Sequence, residues 1–100
     1  MKRKVFEIKI RKIVEEVYIG YCGDNASRTP DVVRHDATKK SKNSKVNMAI
    51  RAAGSGDISV VTHGEHMSEK EAKSLKLRLI KERKSEDVPV LNTRGVDNEL

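Results

Sequence analysis

The chain has no tryptophan, one phenylalanine and two tyrosines, so its core must be built from Val, Ile, Leu and Ala. Its single cysteine, Cys22, excludes an intrachain disulfide and a cysteine-rich zinc site. Placed in a strand-like stretch, Cys22 reads as a packed residue rather than a reactive one. Low-complexity segments and internal repeats are absent, and no apolar run is long enough for a membrane span or a signal peptide. With 100 residues there is room for one small domain, expected over residues 1–95 with a frayed tail at 96–100. These absences together predict a soluble, cytoplasmic protein with no membrane partner.

Charge is what the sequence has in quantity. The formal net charge is +6, and residues 1–51 hold most of the Lys and Arg with fewer than half of the acids. A basic half suits a polyanion, and nucleic acid is the commonest in a cell. Many small basic proteins are merely well solvated, so charge by itself leaves both readings open. The run "KKSKNSK" is usually a solvated loop. Lying between two helical patterns in the basic half, it also suits phosphate contact. Lys39, Lys40, Lys42, Lys45 and Arg51 are the candidate DNA-backbone residues.

Hydrophobic periodicity outlines the elements. "KVFEIKI" alternates, with Phe6, Ile8 and Ile10 on one face and Glu7 and Lys9 on the other, as in a half-buried strand. "EVYIGYC" is a second strand, with Val17, Ile19 and Tyr21 opposed to Tyr18, Gly20 and Cys22. The two are close enough to pair as an antiparallel hairpin. Thr29 caps a first helix with Pro30 at its first position. Ser44 caps a second helix, "KVNMAIRAA", and Gly54 stands where a left-handed residue would end it. "DISVVTH" is a third strand. Ser68 and Glu71 form a capping box that starts the third helix. "VPVLN" suits a short edge strand, because Pro89 cannot donate to a ladder. The order predicts an α+β fold, a small antiparallel three-stranded sheet flanked by three helices.

Few residues stand out chemically. Ala72, Leu75, Leu79 and Ile80 form the apolar stripe of the third helix. Lys76 is four residues after Ala72 and three before Leu79, so it falls inside that stripe. Periodicity reads it as a lysine snorkelling past its neighbours, or as the mark of a polar cleft. His35, next to Arg34 on a basic chain, is either a surface histidine or a general base or phosphate contact. His63 and His66 do not have the spacing of a metal pair.

The stretch "VYIG" preceded by "KVFEI" resembles the paired motifs of the GIY-YIG nucleases. The resemblance continues in order. Arg28 stands where the family carries an arginine, and "NSKVNMAIRAAG" is similar to a helix ending of the "AIRKxG" type. "ISVV" is similar to the strand that follows it. "SEKEAKSLKLRLIKE" resembles a helix of pattern "EAxxxExxxI", and "LNTRG" the closing segment that contains Asn92. Nearly the whole chain is covered. Three departures accompany it. The first family tyrosine is Phe6. The place of the family histidine is held by Val32, with His35 one turn later, so that Arg34 and His35 are alternatives to Arg28 and its partner. The metal-holding glutamate aligns with Lys76.

The resemblance implies a DNA endonuclease that uses one Mg²⁺ or Mn²⁺. Phosphodiester hydrolysis needs a deprotonated attacker, stabilised phosphate charge and an assisted leaving oxygen. On this reading Tyr18 relays the proton of the attacking water, Arg28 supplies a fixed cationic fork, and Asn92 orients groups at the sheet edge. The metal position, 76, is expected to be glutamate in an active enzyme. A lysine there offers donors only, so the chain as written is expected to be inactive and to need no metal. Tyr18, Arg28 and Lys76 are expected to meet in one concave site. The chain is about the size of the catalytic module alone, which implies modest sequence specificity or a partner that supplies it. A non-catalytic DNA-binding relative and a small basic adaptor protein are the alternatives. The oligomeric state is not legible.

Overall fold

The computed structural model describes residues 2–11, 14–39 and 45–92, with the side chains of residues 39 and 55 left aside. The expected α+β fold is present. Strands β1 (Arg3–Ile10) and β2 (Glu16–Gly23) lead to helices α1 (Pro30–Lys39) and α2 (Lys45–Ala52). Strand β3 (Ile58–Met67) and helix α3 (Glu69–Ser85) follow. The sheet is antiparallel throughout, in the order β2-β1-β3. Expectations placed on Lys40, Lys42, Ser44 and residues 96–100 lie outside the described residues.

Two local signals behave as their chemistry requires. The Thr29 hydroxyl accepts from the Val32 N–H at 3.3 Å at the start of α1. Ser68 and Glu71 close a reciprocal box at the start of α3, Ser68 Oγ accepting from Glu71 N at 3.1 Å and Glu71 Oε1 from Ser68 N at 3.0 Å. That backbone hydrogen bond holds the Glu71 carboxyl below its ordinary pKa, with the Ser68 hydroxyl adding to it.

The sheet is covered on both faces. Phe6, Ile8 and Ile10 pack with Val33 and Ala37 of α1 and with Ala49 and Ile50 of α2. Val5 and Ile19, on the other face, pack with Ala72, Leu79 and Ile80 of α3. The expectation of a half-buried first strand is therefore corrected. β1 is the central strand, and Glu7 points into the α3 side with no exposed surface. A charged residue at an alternating position suggests a solvent face, but here a distant partner takes the charge.

Three boundaries also differ. β3 runs on to Met67, and at its far end His66 adopts a left-handed φ of 57°. The Asp24 carboxylate holds that turn, accepting from the His66 backbone N–H at 3.2 Å and meeting Nδ1 at 2.7 Å. Gly54 is not a left-handed cap. Its backbone is extended, and its N–H donates to Asp57 Oδ2 at 3.3 Å across a short 3₁₀ turn. The expected edge strand around Pro89 contracts to one parallel bridge, Val17 to Val90. Val17 N–H donates to Pro89 O, and Leu91 N–H to Val17 O at 2.7 Å. Asn92 then caps this edge of β2 with its side chain, taking the Ile19 N–H on Oδ1 at 3.1 Å and donating from Nδ2 to Ile19 O at 2.6 Å.

Candidate functional site

Antiparallel register places Ile8 opposite Tyr18 and Phe6 opposite Gly20, so all four share the face that looks toward α1 and α2. The Tyr18 and Phe6 rings lie 6.2 Å apart at 45°. Gly20 is what lets them settle there. A Cβ at that position would come within 2.9 Å of Tyr18 Cε2 and 3.0 Å of Phe6 Cζ. The glycine of "YIG" thus has a steric reason that is independent of any backbone twist.

Arg28 reaches the same place from the loop ahead of α1. Its guanidinium carbon sits 5.5 Å from the centre of the Phe6 ring, within cation–π range. Nη1 donates to Ser27 O at 3.2 Å and to Asp36 Oδ2 at 3.4 Å. Both contacts fall on one nitrogen of the fork. Tyr18, Arg28 and Asp36, with Asn47 and Val46 of α2, line an open cavity of about 140 Å³ over the Phe6 ring. Its lining mixes apolar side chains, Ile8, Val33, Ala37 and Ile50 among them, with these polar groups.

Two sequence candidates therefore come together, Tyr18 and Arg28. Arg34 does not join them. Its Nη1 donates to Ala53 O at 2.8 Å and closes the end of α2. Arg34, the exposed His35 and Arg51 line a separate open hollow between α1 and α2. Lys45 is exposed on the first turn of α2, and Lys39 ends α1. Asn92 is fully engaged with the backbone of Ile19, so it acts as a clamp on the edge of β2.

Lys76 is the main correction. It lies within the buried face of α3, 6% exposed, with Nζ 5.3 Å from the centre of the Tyr21 ring. Tyr21 belongs to the α3 side of β2 and Tyr18 to the other. The single concave site expected for Tyr18, Arg28 and Lys76 is thus divided by the sheet. The lysine neither snorkels out nor enters the cleft; it places its cation against an aromatic face. Position 76 does not suit a divalent cation, since an ammonium offers donors only and carries the same sign. Among the described residues no group of three His, Cys, Asp or Glu side chains is placed to hold a metal.

The most elaborate polar cluster escaped the sequence reading. Glu7 receives Arg83 as a two-pronged pair, Nε to Oε2 at 2.8 Å and Nη2 to Oε1 at 3.0 Å. His63 Nε2 meets Oε1 at 2.7 Å. Burial pushes the Glu7 carboxyl upward, but the hydrogen bonds and charges of Arg83 and His63 outweigh it and hold the pKa below its ordinary value. The same contact raises the pKa of Arg83. No local pattern announces a pair separated by so much chain. The available hint was a run of acid and base at alternating positions that periodicity assigned to water.

Comparison with protein-family models, with curated proteins and with solved structures finds no match for the chain.

Proposed function

We propose that this chain is a DNA-binding domain of the GIY-YIG endonuclease type, and that with lysine at position 76 it holds DNA without cutting it. The observation that supports the reading is the meeting of Tyr18 and Arg28 in one cavity. They are the tyrosine of "VYIG" and the arginine that follows it, and they come from a strand and a loop. The Arg28 fork brings a permanent positive charge to the cavity lining, offset in part by Asp36 beside it. The excess of basic residues supplies the long-range attraction, and a cytoplasmic site of action goes with this reading. A glutamate at position 76 would lie across the sheet from Tyr18 and Arg28 and would not bring Mg²⁺ to this cavity, so hydrolysis is left out of the reading.

Binding to a labelled duplex, measured across a salt series, tests the first half. Affinity should fall steeply with salt, and Arg28→Ala should reduce the slope of log K against log salt by about 0.9. Neutralising Lys45 and Arg51 together should weaken all sequences alike. Affinity indifferent to salt would leave the adaptor alternative in its place. Lys76→Glu on supercoiled plasmid tests the second half, and a folded variant that binds and does not nick with Mg²⁺ or Mn²⁺ is expected. Metal-dependent nicking that stops with chelator would return hydrolysis to the reading.

A further inference from the structure

Resting on the DNA-binding reading, we infer that the open hollow between α1 and α2 holds a phosphate group of the DNA backbone, a second one beside the phosphate that Arg28 meets. The hollow is lined by Arg34, His35 and Thr38 of α1 and by Ile50 and Arg51 of α2. Two permanent cations and an imidazole therefore stand around one apolar side chain. Among the described residues its lining includes no carboxylate. The neighbouring cavity differs on this point, because Asp36 already offsets part of the Arg28 charge. Ile50 lines both, so the two sites adjoin. The hollow measures about 460 Å³, room for a phosphate with its sugars attached.

Arg34 is held in place before any ligand arrives. It is half-buried, and its Nη1 donates to Ala53 O at 2.8 Å. That contact uses one nitrogen of the fork, so Nε and Nη2 are the donors it can turn to a phosphate. A side chain already fixed loses less entropy on binding. One effect opposes an anion here. The carbonyls that end α2 carry the weight of roughly half a negative charge. Arg34 answers one of them, and Arg51, in the last turn of α2, adds a full positive charge, so the cations prevail. His35 is exposed and brings a ring N–H. The Thr38 hydroxyl adds no donor, because it is spent on His35 O at 2.7 Å. Phosphate contacts of this kind position a duplex without reading its sequence.

The experiment takes two readouts on the whole chain. In the first, inorganic phosphate replaces chloride at fixed ionic strength while backbone amide shifts are followed by NMR. Saturable shifts are expected around the hollow, at residues 34–38 and 50–53, and Arg51→Gln should weaken phosphate binding about tenfold. A DNA duplex should move the same amides. If phosphate saturates them and the duplex leaves them still, the ligand is a free phosphate-bearing molecule and the backbone assignment falls. In the second, duplex affinity is measured across a salt series by fluorescence anisotropy. Arg51→Gln should reduce the slope of log K against log salt by about 0.9, and Arg28→Ala combined with Arg51→Gln by about 1.8, because each cation neutralises its own phosphate. Lys73→Gln makes the same charge change at an exposed position of α3, across the sheet, and should leave the slope unchanged. Shifts that do not saturate, or a slope that Arg51→Gln does not alter, overturn the inference and leave DNA binding in place. So does a double variant that loses no more than Arg28→Ala alone, or an equal loss in Lys73→Gln, which would report net charge. Failure of the unaltered chain to bind the duplex at low salt overturns the DNA-binding reading itself.

Discussion

Gly20 shows how a single absent methyl group decides a site. Two effects oppose each other in Gly20→Ala. The unfolded chain loses freedom, which favours the folded state by about 0.4–1 kcal/mol. The new Cβ, at 2.9 Å from the Tyr18 ring and 3.0 Å from Phe6, must push both rings aside. Overpacking of this kind costs about 1–3 kcal/mol, so a net loss of about 1 kcal/mol is expected in urea denaturation. The displaced rings should also narrow the cavity and weaken oligonucleotide binding. Unchanged stability together with unchanged binding would show that the rings move freely. The sequence allowed the idea that Gly20 leaves room near Tyr18, because both lie on one face of an alternating strand. It could not reveal that the room is taken by Phe6, since that contact depends on the register of β1 against β2. Lys76 was legible in the same partial way. Periodicity put it in the buried stripe, where it is, but said nothing of which sheet face that stripe covers.

Elements were readable where a local chemical signal starts or stops them. The capping box of α3 and the Thr29–Pro30 start of α1 need only neighbouring residues, and both appear as expected. The segment after α3 depended on a distant edge, so its form was not readable. Its one bridging residue, Val90, owes its place to β2, and Asn92 completes the attachment with two hydrogen bonds to Ile19. Asn92→Ala leaves the Ile19 N–H and C=O without these partners. A loss of about 1–2 kcal/mol is expected, with faster hydrogen exchange at Ile19 and at Leu91. If exchange at these amides is unaffected, the segment is held by Leu91 packing in the α1 and α2 core rather than by Asn92. The opposite edge of the sheet, the outer side of β3, has no such cover among the described residues, and Val61 there is 37% exposed. Charged and polar neighbours, His63 and Glu65, interrupt that edge in the way that discourages strand addition.

For the molecule as a whole, the Glu7 cluster sets the response to acid. The folded state holds the Glu7 pKa below its ordinary 4.5, so the native protein binds fewer protons there than the unfolded chain. This contribution is complete above about pH 4.5 and is lost as the pH falls through the lower, folded value. Glu7→Gln should flatten that acid limb. It should also destabilise the protein at neutral pH by about 2 kcal/mol, because Arg83 keeps Glu86 but loses its two-pronged charged partner. Denaturant titrations at neutral pH and at pH 3 measure both effects. An acid limb that is the same in the variant would move the sensitivity to another carboxylate. The fold class was legible from element order alone. The cluster that ties β1, β3 and α3 together was not, because its three residues are far apart in the sequence.

That cluster also constrains the order of events as the chain is made. Glu7 emerges early in synthesis and Arg83, 76 positions further on, late. Until α3 arrives, the carboxylate on the face the central strand must bury has His63 of β3 beside it but lacks the Arg83 fork, and completing the sheet without α3 would leave that charge short of its cation. The β1–β2 hairpin can form early, yet the finished packing has to wait for the final helix. Truncation before Arg83 should therefore yield a chain that stays open, not a smaller version of the fold.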